Sequence, residues 1–301
     1  MKRASLVLAV LAVAAVGGGV WAATRSPTLD ALPDKGYPIV DKNGKVIGTY
    51  HVPADSAILA EANAQEILYG KRLLDETHRL LPDNVGDEIN CNSCHLHGGK
   101  LPNGAPYINS SHNYPSYNPR AGKVVTLADR INGCFRRSMN GKPLAVDSPE
   151  MKAMLAYMDW LGKKIPAGAK VKIKSSSPID KTLVPDPLHG AEVYAAQCAT
   201  CHGDNGEGLH DVAGKMVIPP LWGDHSFNIG AGMARTFTAA AFVKGNMPVS
   251  VNGHKPMGAG GQLDDQDVLD VAEYFTHMPR PDFPDKIHDW PNGKKPPDAR
   301  Y

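Results

Sequence analysis

The chain has 301 residues and is almost charge-balanced, with 32 Lys and Arg against 31 Asp and Glu. That balance excludes a global attraction to nucleic acid or to an anionic membrane surface, so charge must act locally. The length, about 280 residues once an N-terminal leader is set aside, suits two domains of ordinary size.

The first element is an export signal. Lys2 and Arg3 precede an apolar run from Leu6 to Val20 and the small residues Ala22 and Ala23, the pattern of a cleaved leader. Residues 1–22 are therefore read as a signal peptide, which predicts a periplasmic protein. The run falls short of the about 20 residues of a membrane span, so a retained anchor is the second choice. Residues 23–54 follow as an N-terminal extension. From Asp55 to Leu81 the apolar residues Ile58, Leu59, Ile67, Leu68, Leu73 and Leu74 predict helix, closed by Pro82.

That helical segment leads into Cys91-Asn-Ser-Cys94-His95, and a short predicted helix from Leu188 leads in the same way into Cys198-Ala-Thr-Cys201-His202. C-x-x-C-H is the attachment signature of c-type haem: the two thiols bond the vinyl groups and the histidine ligates iron. A lone copy could belong to a zinc or redox site. Two copies, each delivered by a helix in an exported chain, predict two covalently attached haem c groups, with His95 and His202 as proximal ligands.

Each motif is followed by a second amphipathic helix, at 149–161 and at 264–277, predicted to pack on the helix that precedes its own motif. Asp264, Asp265 and Asp267 crowd the start of the later helix, where they oppose its dipole. Residues 166–187, rich in Pro, Ser and Lys without an apolar period, read as a linker between domains at 55–165 and 188–281. Residues 282–301 carry Pro284, Pro291, Pro296 and Pro297 and read as an extended tail. The expected fold is mainly α: two cytochrome c-like helical domains joined by that linker, with long loops packed on haem.

The function turns on the sixth ligands. For the second haem, Met247 in Gly245-Asn-Met-Pro248 stands in the context of a cytochrome methionine loop, and a soft thioether raises the potential. Lys244 is its rival, while His254 and Met257 read as loop and haem-packing residues. For the first haem the comparable position holds Cys134, the fifth and unpaired cysteine, with Met139 nearby as an alternative. A free thiol can be an inert buried residue, but in an oxidising compartment it is a liability unless it is bound. A thiolate ligand would lower the potential of that iron. Around it lie Arg120, Lys123, Arg130, Arg136, Arg137 and Lys142 against the single acid Asp129. Such a cluster is either a solvated face or a site that lowers the thiol pKa and binds a small oxyanion.

The stretches Cys91–Lys100, Gly122–Lys142 and Met151–Trp160 resemble the dihaem thiosulfate dehydrogenases, periplasmic cytochromes that couple two thiosulfates into tetrathionate, and the resemblance spans most of the mature chain. It implies a His95/Cys134 pair at a catalytic haem. It also implies a substrate site of Arg120, Arg130, Ser138 and Lys142, and an electron-exit haem with His202 and either Met247 or Lys244. An external cytochrome or similar redox protein would accept the electrons, and some members also reduce tetrathionate. The other readings are a dihaem electron carrier without a substrate, and an enzyme acting on another sulfur oxyanion or on peroxide.

Overall fold

A computed structural model describes residues 36–249 and 262–301. The signal peptide, the start of the N-terminal extension, His254 and Met257 lie outside the described residues. Among those described, no helix is long and apolar enough to cross a membrane.

Two crossed helix pairs organise the molecule. In the first, α1 (Ala64–Asp75) packs on a later helix, Pro149–Gly162; between them in sequence lies α2 (Leu127–Arg137), so the partner is α3. In the second, α4 (Pro187–Gln197) packs on α6 (Asp265–His277), which also holds α5 (Thr236–Asn246). The starts of these helices are written locally. Ser148 Oγ accepts the Met151 N–H with Pro149 in the first turn, Asp186 Oδ1 accepts the Leu188 and His189 N–H groups with Pro187 in the first turn, and Asp264 accepts the Asp267 N–H.

Both crossings are backbone-close. A Cβ on Gly70 would stand 1.9 Å from Ala153 O, and one on Gly190 would stand 2.1 Å from Asp270 O. Backbone cannot yield as a side chain can, so Gly70→Ala is expected to cost about 3 kcal/mol, the upper part of the range for overpacking. The unfolding midpoint of the holoprotein in denaturant measures it.

The helical segment predicted over 55–81 is broken in three: a 3-10 turn at Asp55–Ala60, then α1, then a short helix at Thr77–Leu80. The last break has a tertiary cause. Leaving the helix at Glu76 buries Thr77, whose Oγ1 donates to Leu74 O at 3.1 Å and accepts the Cys91 N–H at 3.0 Å, so it seats the first haem motif.

Among the described residues three cores result. The first, around Leu73, Phe135, Met154 and Tyr157, is completed by Phe227, Ala231 and Ala234 from far along the chain; the second centres on Tyr194, Trp222, Val268 and Phe275. Met233 packs on both. The third lies under a three-stranded sheet in which β1 (Tyr37–Val40) pairs antiparallel with β2 (Val46–Tyr50) and with a strand at Lys170–Val171. N-terminal extension and linker are thereby stitched together, and Tyr50 Oη anchors the sheet by donating to Leu161 O at 2.8 Å. The tail crosses back over the first half: the Trp290 N–H donates to Arg120 O at 2.8 Å, and Asn292 Nδ2 donates to Tyr117 Oη at 2.9 Å.

Candidate active site and haem sites

The first site is built on α2. Thr126 and Asp129 cap it reciprocally, Thr126 Oγ1 accepting the Asp129 N–H and Asp129 Oδ2 accepting the Thr126 N–H. Ile131, Asn132 and Phe135 form its buried face, and the Asn132 side chain clamps the following loop through both N–H and C=O of Leu144. Arg130, Cys134 and Ser138 then fall at successive four-residue steps along one stripe of the helix.

Arg130 Nη1 donates to Cys134 Sγ at 2.7 Å. Burial alone would raise the Cys134 pKa, but the Arg130 charge and a hydrogen bond from His95 outweigh it and bring the thiol down to about 6. Cys91 and Cys94 lie close enough to feel the Cys134 charge, and burial pushes both up to about 12. Cys134 is thus set apart from the two cysteines of the attachment motif as the thiol most readily deprotonated.

His95 is the hydrogen-bonding neighbour of that sulfur, and because Nδ1 donates to Ala105 O at 2.6 Å, Nε2 is the nitrogen turned toward Cys134 and the one that would ligate a metal. Tyr107 stacks on the imidazole at 4.4 Å between centroids. His202 is arranged in the same way, with Nδ1 donating to Pro219 O at 3.0 Å. Both motifs therefore present two cysteines and an oriented imidazole, and at the first Cys134 lies next to that imidazole, so His95 and Cys134 are the residues that would hold the iron. The residues fit haem c.

At the second site Met247, the C-cap of α5, packs into the core that holds Cys198, Ala199 and Trp222. Lys244 is engaged elsewhere: its Nζ donates to Pro178 O at 2.9 Å and pairs with Asp265 Oδ1 at 2.5 Å. Met247→Gly is accordingly expected to abolish the methionine-to-iron charge-transfer band at the red end of the oxidised spectrum, whereas Lys244→Ala keeps it. A band that survives in Met247→Gly would exclude that thioether as ligand.

Of the remaining predicted site residues, Ser138 closes the Arg130–Cys134 stripe and the other two stand outside that helix. Ser138 caps α2, donating its N–H to Cys134 O. Lys142 is exposed, and its N–H donates to Asn84 O. Arg120 belongs to a different constellation: Nη1 donates to Gly230 O at 2.6 Å, and the guanidinium lies 4.6 Å over the Trp290 ring. Sequence reasoning missed the carbonyls of Ala105 and Pro219 and the tail residues around Arg120, because a backbone acceptor on a loop has no signature in residue type.

Asp87, just ahead of the first motif, is 2% exposed. Its Oδ1 accepts the Ile89 N–H, while Oδ2 has no partner, and burial pushes the carboxyl up to about 8. From the ordinary carboxylate range to about pH 8 the folded chain holds a proton that the unfolded chain has released, so folding stability falls as pH rises through that window. Asp87→Asn should flatten the dependence in denaturant titrations at pH 5 and pH 8.

The fold and these two sites define a c-type cytochrome with two haem-binding domains. Residues 84–166 match the family described as SoxA/TsdA, cytochrome c domain, and residues 188–279 match the cytochrome c family. The thiosulfate dehydrogenase of Psychrobacter arcticus is 44% identical over 252 residues, covering 84% of this chain and 75% of that protein. That of Allochromatium vinosum is 40% identical over 242 residues, covering 79% and 87%. The solved thiosulfate dehydrogenase (TsdBA) of Marichromatium purpuratum superposes with a TM-score of 0.68 at 34% identity over 78% of this chain, which spans 50% of that longer one. The chain belongs to the thiosulfate dehydrogenase family.

Proposed function

We propose that the protein is an exported periplasmic enzyme with two covalently bound haems that oxidises two thiosulfates to tetrathionate. The observation that carries this reading is the Cys134 thiolate, held by Arg130 at 2.7 Å and facing His95, in a chain related to thiosulfate dehydrogenases.

The chemistry follows from the charges. Thiosulfate is a dianion, and Arg130 lies where it can neutralise a sulfonate through charge-assisted hydrogen bonds, with Ser138 one turn further along the same stripe. Arg120 and Lys142 enter the substrate site through the family resemblance. The outer sulfur of thiosulfate joins the Cys134 sulfur with loss of two electrons, giving an S-thiosulfonate side chain. A second thiosulfate attacks the outer sulfur of that adduct, releasing tetrathionate and restoring the thiolate. Haem, when bound, supplies the redox capacity for the two electrons, one at each site. The protein's own contribution is to fix the two sulfurs in line and to hold Cys134 deprotonated. Electrons leave through the His202 site to an external redox protein, and the same adduct permits tetrathionate reduction in reverse.

The test is stoichiometric: holoprotein with thiosulfate and ferricyanide should yield one tetrathionate for every two ferricyanides reduced. Ferricyanide reduction without tetrathionate, or no reduction at all, would reject the reading.

A further inference from the structure

The arginines between the first and second cores outnumber what Cys134 uses. Arg120 and Arg137 converge on Asp289, whose side chain is 4% exposed: Arg137 Nη2 donates to it at 2.7 Å, Arg120 Nε stands at 3.8 Å, and Tyr301 Oη donates at 2.5 Å. Arg235 lies close enough to Arg120 for the two charges to oppose each other. Its Nε is buried without a hydrogen-bond partner, and Arg137 Nε is in the same condition. One carboxylate therefore serves two guanidinium groups, and the third, Arg235, has no carboxylate partner there. A buried N–H left unpaired is costly, and more so when charged, so the constellation has room for an additional anion.

Its position says which anion. Arg137 ends α2, the helix that carries Cys134, and Arg235 precedes α5, the helix that Met247 caps. Met233, two residues before Arg235, packs on both cores. The cationic junction thus lies between the elements that supply the candidate distal ligands of the two haems, and each haem carries two propionate carboxylates.

We propose that Arg235 and Arg137 bind haem propionates, Arg235 for the haem of His202 and Arg137 for the haem of His95, with the C-terminal residues Asp289 and Tyr301 holding Arg137 in place. Guanidinium and carboxylate match in a bidentate geometry. The arginine neutralises negative charge near the iron and so favours the ferrous form. This assignment depends on haem binding alone and is independent of the thiosulfate reading.

Redox titration of the holoprotein without thiosulfate, followed separately at the spectral bands of the two haems, tests it. Arg235→Gln should shift the midpoint of the His202 haem to more negative potential, Arg235→Lys should recover most of the shift, and Arg137→Gln should shift the His95 haem in the same direction. Unchanged midpoints in Arg235→Gln overturn the proposal. So does a raised KM for thiosulfate with unchanged midpoints, which would assign the junction to a free oxyanion. Should Arg235→Gln fail to fold, the reduced-minus-oxidised infrared spectrum of Arg235→Lys decides: a displaced propionate carboxylate band supports the assignment, and a wild-type band rejects it. Loss of thiosulfate oxidation in the parent protein would leave these midpoints informative.

Discussion

Cys134→Gly is expected to lower kcat/KM for thiosulfate by at least about a thousandfold, equivalent to about 4 kcal/mol of transition-state stabilisation, while both haems remain attached. The size follows from the double role of this sulfur. In the proposed reaction it forms the S–S bond and also ligates the iron beside His95, so its removal would take away the covalent step and the electron-donating ligand together. The four cysteines of the attachment motifs are untouched, so loading with haem should persist. Optical spectra of the variant should show altered ligation at the first haem alone, with a midpoint moved to more positive potential once the thiolate is gone. Full activity with unchanged ligation would reject Cys134 as both ligand and reactive group.

The second large effect is expected at Arg130. Arg130→Gln removes the 2.7 Å hydrogen bond to Cys134 Sγ and the charge that opposes the desolvation of the thiolate. The sulfur loses a group that draws electron density from it, becomes the stronger donor, and the midpoint of the His95 haem should fall. Substrate capture loses a guanidinium facing a dianion, so kcat/KM should drop by about a hundredfold, near 2.7 kcal/mol. Stopped-flow reduction of the haems by thiosulfate separates the two contributions: weaker capture raises the concentration for half-maximal rate, and the altered potential lowers the rate at saturation. A variant whose midpoint and kinetics both match the wild type would remove Arg130 from the site.

Much of this was legible in the chain because it is local. The C-x-x-C-H motifs are contiguous, and the caps of α3, α4 and α6 lie within three residues of the groups they satisfy. The paired packing of α1 with α3 and of α4 with α6 follows from apolar stripes at helical spacing. The helical segment predicted over 55–81 is interrupted for the opposite reason. Helical propensity at Glu76 yields to the burial of Thr77 beneath Cys91, a contact across 14 residues that no periodicity encodes.

The candidate site divides along the same line. Arg130, Cys134 and Ser138 share a stripe by helical geometry, so sequence order alone determined their alignment once α2 formed. Sequence also distinguished the fifth cysteine, since four of the five thiols are claimed by adjacent motifs. Only tertiary structure decided that Ala105 O and Pro219 O orient the two imidazoles, that Lys244 is paired with Asp265, and that Arg120 sits beneath Trp290. Those outcomes rest on groups brought together from distant parts of the chain. Their energies come from burial and directed hydrogen bonds that exist only after the cores have closed.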